Sequence, residues 1–248
     1  MTTATTSPTT FATHLTNVRI GRRRRTRRSI LAIVTLCVLL CVLFSAMVML
    51  GNTIYPVSDV VAVLAGKDVP GASFAVGTLR LPRAVTGILA GVAFGIAGTT
   101  FQTMLRNPLA SPDVIGITSG ASAAAMLALI GLHWGASSTM LLALAAGVAT
   151  AAAIYLLARS GESTGGRFIL IGIGVGAMLD SVVSFLVQRA AEWDVAVAMR
   201  WLTGSLNGAR WDAIPPLALA VAVLVPTVVL LSRDLNALAL GDASATAL

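Results

Sequence analysis

Arg80–Ala121 reads RLPRAVTGILAGVAFGIAGTTFQTMLRNPLASPDVIGITSGA, and this stretch decides how the chain is built. The apolar run after Arg80 and Arg83 is long enough to cross a membrane. A polar turn, Arg106–Asp113, ends it, and a second apolar run rich in small residues begins at once. Pro108 and Pro112 each lack an amide and bias Asn107 and Ser111 away from helix, so the turn is short and fixed. Two spans joined in this way predict a packed helical hairpin, and hence a polytopic membrane protein.

Composition agrees. The chain is 56% hydrophobic and 11% charged, against about 25% charged in an average soluble domain. Each span must be helical, because hydrocarbon offers backbone groups no other partner. The net charge of +7 does not indicate nucleic acid: seven of the 17 basic residues lie between Arg19 and Arg28, just ahead of the first span. That placement is the positive-inside pattern. Cys37 and Cys41, one turn apart within a span, read as small packing residues.

The sequence predicts an all-α, polytopic transmembrane helical bundle with six spans: Ile30–Leu50, Ala84–Leu105, Val114–Leu132, Ala136–Leu157, Phe168–Val187 and Ala213–Leu231. Residues 1–28 read as a disordered basic tail, 29–231 as the transmembrane domain and 232–248 as a cytoplasmic region that stops inside an amphipathic pattern, as an incomplete chain would. Ser58–Ala65 reads as a short interfacial helix with Ser58 as N-cap, and Asp113 is placed to cap the span that follows it. With the N-terminus inside, eleven basic residues fall on the cytoplasmic side and six outside. Trp193, Trp201 and Trp211 then share one outer segment, as interfacial aromatics do.

Candidate residues are few. Gly87, Gly91 and Gly95 recur every four residues and suit close helix packing. Gly172, Gly174 and Gly176 mimic a phosphate loop, but no strand precedes them. Asp180 is the acid deep in a span, and either lines a polar pathway or bonds between helices; Gln188 and Arg189 lie too far along to pair with it. No catalytic set is present: His14 and His133 lie outside span interiors, and a lone Asp180 is not an aspartyl pair.

In order, RLPR (Arg80–Arg83), RNPLASPDVIGITSGA (Arg106–Ala121), RFILIGIGVGAML (Arg167–Leu179) and MRWLTGSLNGARW (Met199–Trp211) resemble the FecCD family. These are the iron–siderophore permeases of ABC importers, with cobalamin and haem relatives. WLTGSLNG is similar to the ferric-catecholate (enterobactin-type) branch. The resemblance implies a ten-span permease, of which six spans are present, in the bacterial cytoplasmic membrane with its N-terminus cytoplasmic. It implies a second permease subunit (a like or unlike copy), separate ABC ATPase subunits, an extracytoplasmic siderophore-binding protein and surrounding membrane lipid. It implies no nucleic acid, no enzyme activity and no cofactor or metal in this chain. By position it assigns docking of the binding protein to Arg80 and Arg83, the translocation path to Ser163, Thr164 and Asp180, and ATPase coupling to Leu235, Leu238, Gly241 and Asp242. In that last segment Gly241 divides two short helices and Asp242 opens the second. A proton-coupled carrier using Asp180 is the competing reading, with haem or cobalamin as alternative cargo.

Overall fold

The computed structural model describes residues 8–113, 115–159 and 164–239, and among them every regular element is a helix. The chain divides into two compact units, Met1–Ala84 and Val85–Leu248.

In the first unit, α1 runs from Pro8 to Met49 as one helix of 42 residues. The sequence predicts a disordered tail over residues 1–28; instead helix reaches back to Pro8. No proline interrupts residues 9–28, and arginine is a good helix former, so the apolar span propagates backwards through the basic run. None of the most apolar window of α1 is buried, as suits a helix meant for lipid. α2 spans Val57–Leu64, with Pro56 rather than Ser58 at its N-cap. Proline lacks an amide and holds φ near −66°, so it starts the helix without a capping bond, and the Ser58 hydroxyl donates instead to Asp59 Oδ1 at 3.2 Å. A π-helical segment, Ser73–Arg80, runs directly into α3, Leu81–Met104. Val48, Val60, Val76, Leu81 and Ala84 form the core, flanked by Phe44, Tyr55 and Val63.

The second unit is built around α4, Ile117–Met126, which continues as a π-helical turn, Leu127–Gly131. α5 (Ala136–Ala158) and α6 (Thr164–Gln188) pack on it. α7 (Glu192–Thr203) lies beyond, and a 3₁₀ turn, Trp211–Ala213, leads into α8 (Ile214–Leu230) and then α9 (Ser232–Ala239). Ala125, Met126, Ala143 and Ala198 are the core, with Val183, Leu186 and Trp201 against them.

The third span departs from expectation. A helix from Val114 to Leu132 is predicted; Val114 lies outside the described residues, and the helix opens at Ile117 after Gly116, whose φ is +80°. The left-handed glycine delays the helix, so Asp113 does not cap it; its carboxylate accepts a hydrogen bond from the Thr118 hydroxyl. Among the described residues, five helices are long and apolar enough to cross a membrane, and Ile117–Gly131 is a shorter apolar helix.

Candidate functional site

α6 presents a packed side and an open one. Its inner face holds Gly172 and Gly176, both buried. A Cβ on Gly172 would stand 2.8 Å from the Ile115 carbonyl oxygen, and one on Gly116 would stand 2.8 Å from the Gly172 carbonyl oxygen. Gly120 likewise has no room for a Cβ against Thr150 of α5. Two of the three glycines that resemble a phosphate loop, Gly172 and Gly176, are therefore where two backbones touch, while a Cβ on Gly174 would meet nothing within 4 Å among the described residues. By contrast, a Cβ added to Gly91 or Gly95 would meet nothing within 4 Å among the described residues, and one on Gly87 would meet only Leu206 at 3.4 Å.

The other face of α6 is polar. Asp180, Ser184 and Gln188 follow one another at i, i+4 and i+8, and with Ser181 and Phe185 they line an open recess of about 360 Å³. All five are exposed. The hydroxyls of Ser181 and Ser184 donate to the carbonyls of Ala177 and Asp180 at 2.8 and 2.9 Å, so both donors are already used. Arg189 does not reach Asp180; its guanidinium lies 4.5 Å from the Phe185 ring centroid. The surface can hold water and weak polar contacts, and a carboxylate is too costly to leave against lipid. Thr164 opens α6, and Ser163 lies outside the described residues.

Arg80 and Arg83 have separate environments. Arg80 Nη1 donates to the Val48 and Met49 carbonyls at 3.0 and 2.8 Å, and Nη2 to the Thr53 carbonyl at 2.7 Å. These are carbonyls at and just past the end of α1, where the helix dipole favours a cation. The guanidinium also lies 5.1 Å from the Tyr55 ring centroid, and the Tyr55 hydroxyl donates to the Gly71 carbonyl at 3.0 Å. Among the described residues Arg83 has no such engagement: its Nε is buried without a partner there. Sequence reasoning groups the two arginines by spacing and misses Tyr55 and Gly51, whose added Cβ would fall 2.5 Å from Arg80 Nη2.

Elsewhere in the second unit, Leu235 of α9 joins Thr99, Thr103, Val228 and Ser232 around a groove of about 250 Å³. The hydroxyls of Thr99 and Thr103 donate back to the Gly95 and Thr99 carbonyls at 2.7 and 2.8 Å, leaving an outwardly apolar surface. The Leu238 side chain, Gly241 and Asp242 lie outside what the structure describes.

Residues 36–248 match the FecCD transport family. The chain belongs to that family. Among relatives, it is 36% identical over 192 residues to the ferric enterobactin transport system permease protein FepG of Escherichia coli (strain K12), covering 77% of this chain and 58% of that one. It is 38% identical over 191 residues to the achromobactin transport system permease protein CbrC of Dickeya dadantii (strain 3937), covering 74% and 53%. This FecCD chain thus spans a little over half the length of these relatives. A solved structure described as an inward-facing conformation of a metal-chelate type ABC transporter superposes with a TM-score of 0.74, covering 87% of this chain and 67% of that one at 24% identity. At that identity the likeness shows the fold: all-α and polytopic.

Proposed function

We propose that this chain is the membrane-spanning permease part of an ABC importer that moves ferric siderophore inward across the bacterial cytoplasmic membrane. ATP is hydrolysed in separate subunits, a binding protein delivers cargo from outside, and a second permease subunit completes the path. The observation that carries the reading is the FecCD match over residues 36–248, joined to relatives named for ferric enterobactin and achromobactin transport. The arginine distribution supports a cytoplasmic N-terminus, with α4 counted as the third of six crossings.

The polar face of α6 is the candidate path. A path has to admit its cargo and release it, so its contacts must stay weak. Hydroxyls whose donors are already tied to their own backbone suit that purpose: Ser181 and Ser184 can only accept, beside Asp180 and Gln188. At the outer mouth, Arg83 is the stronger docking candidate for acidic residues of the binding protein, because the Arg80 donors already hold α1. The open Gly87/Gly91/Gly95 face suits a helix from outside this chain, and α9 with residues 240–248 is the proposed contact to the ATPase.

The intact gene product, reconstituted with its ATPase and binding protein, tests this. Uptake of a ⁵⁵Fe-labelled siderophore should require ATP and all three components. Uptake that persists without the ATPase and collapses in Asp180→Asn would favour a proton-coupled carrier instead.

A further inference from the structure

The basic run ahead of the first span is part of α1 itself, continuous with the membrane helix. Arg22, Arg23, Arg24, Arg25, Arg27 and Arg28 are all exposed. No acidic residue occurs before Asp59, and none of the six forms an ion pair among the described residues. At 3.6 residues per turn they do not share one face; they form a collar about 9 Å tall around the helix. Within the collar one side differs from the rest. Arg24, Arg27, Arg28 and Leu31, spaced i, i+3, i+4 and i+7, line a recess of about 350 Å³. Three arginines therefore border a recess that has an apolar side chain at its membrane end. Apolar surface continues along the same face: Leu31 is 67% exposed, and Val34 and Val38, at 53% and 57%, extend it towards the middle of the helix.

We infer that this recess binds one anionic phospholipid of the cytoplasmic leaflet, with its phosphate on Arg24, Arg27 and Arg28 and an acyl chain along Leu31, Val34 and Val38. Guanidinium forks pair with phosphate oxygens in two-point geometry. An unpaired cation cluster beside the membrane is drawn to anionic lipid. A free phosphate would use the arginines but has no use for the apolar rail. A nucleic acid or a phosphorylated peptide would need polar surface to continue where the chain instead presents Leu31 and Val34. The three arginines and Leu31 lie ahead of the matched family segment, which starts at residue 36.

The test is lipid retention by the intact protein purified in detergent, read by native mass spectrometry during titration with dioleoyl phosphatidylglycerol or dioleoyl phosphatidylcholine. One phosphatidylglycerol should bind at least tenfold more tightly than phosphatidylcholine. The Arg24→Gln/Arg27→Gln/Arg28→Gln triple should lose that preference tenfold or more. The Arg22→Gln/Arg23→Gln/Arg25→Gln triple removes equal charge from the other sides of the helix and should lose less than threefold. Because both triples remove the same charge, a general insertion defect would affect them alike. Replacing the three triad arginines by lysine should give an intermediate loss, since charge stays and the forks go. Equal losses in the two glutamine triples would overturn the site in favour of a diffuse collar. Displacement of the lipid by millimolar inorganic phosphate, with Leu31→Asn as tight as wild type, would also overturn it, leaving an anion site with no lipid character.

Discussion

Arg80 holds three carbonyls at and just past the end of α1; Met49 also accepts from the Tyr55 amide at 3.2 Å, so loss of Arg80 takes the side-chain donor from Val48 and Thr53 above all. Hydrogen bonds to charged groups contribute about 1.5–3 kcal/mol each. Arg80→Gln should therefore destabilise the first unit by roughly 3 kcal/mol, since exposure and partial replacement by glutamine offset part of the loss. Gly51→Ala should give a smaller loss of the same kind, because its new methyl pushes Nη2 aside. Arg83→Gln should leave stability nearly unchanged while weakening binding-protein association. Thermal unfolding in detergent, alongside a docking assay, separates the two; a Tm unmoved by Arg80→Gln would refute the structural assignment. The contrast between glycines is equally sharp. Gly172→Ala forces backbone against backbone and should cost about 1–3 kcal/mol, the usual range for overpacking. Gly91→Ala meets nothing within 4 Å and should be neutral in the isolated chain, or stabilising by about 0.5–1 kcal/mol through helix propensity. Sequence alone cannot rank these positions. A spacing of four marks Gly87, Gly91 and Gly95 as a possible contact, but the facing partner of Gly172 lies at Ile115, far away in the chain. The partners of Arg80 are likewise remote, at Val48, Met49 and Thr53.

At the level of elements, hydropathy is a local property, and the spans it marks are where the helices stand. α5 runs Ala136–Ala158 against an expected Ala136–Leu157, and α8 runs Ile214–Leu230 against Ala213–Leu231. The misplaced boundaries are starts set by backbone geometry. Gly116 follows Pro112 and Asp113 closely, and that turn signal is legible beside the apolar run, yet hydropathy alone carries the span straight through it. Within the turn, the Leu109 amide donates to Asn107 Oδ1 at 2.9 Å, and the Ala110 amide to the Asn107 carbonyl at 3.1 Å. Leu109 stands at the tip, 84% exposed. In a chain with its native cysteines replaced, Leu109→Cys should react with a membrane-impermeant maleimide only when the reagent is given access to the cytoplasmic face. Labelling from outside in intact cells would invert the proposed topology.

For the whole molecule, the division of α6 into a packed glycine face and a polar face fixes what each kind of substitution should do. Ser184→Trp adds bulk on the exposed face without touching the Gly172 and Gly176 contacts. In the assembled transporter it should reduce siderophore uptake at least tenfold, while co-purification with the ATPase stays intact. Asp180→Asn keeps the size and polarity of the path and should change uptake less than threefold. Wild-type uptake by Ser184→Trp would mean that cargo passes elsewhere. The polar face is only partly legible in the sequence: Asp180 stands out as an acid deep in a span, but Ser184 and Gln188 join it as a stripe only once the helix is seen to leave that side uncovered.

The brevity of α4, even with its π-helical turn, has a bearing on how the protein is made. Ile117–Gly131 is 15 residues, about 22 Å of helix against about 30 Å of hydrocarbon. Such a segment leaves the ribosome before the helices that will enclose it, and lipid alone gives it a poor home. Its Gly116 and Gly120 contacts exist only after α5 and α6 have followed. The third crossing should therefore be laid down late, drawn in by its successors rather than inserted in turn. A chain halted after Leu132 should leave this segment accessible to an aqueous thiol reagent at an engineered Ala123→Cys, and a chain extended through Gln188 should shield it. Chain order and membrane-entry order would then differ at this one helix, which makes the interval before α6 appears the stage at which quality-control proteases have most to act on.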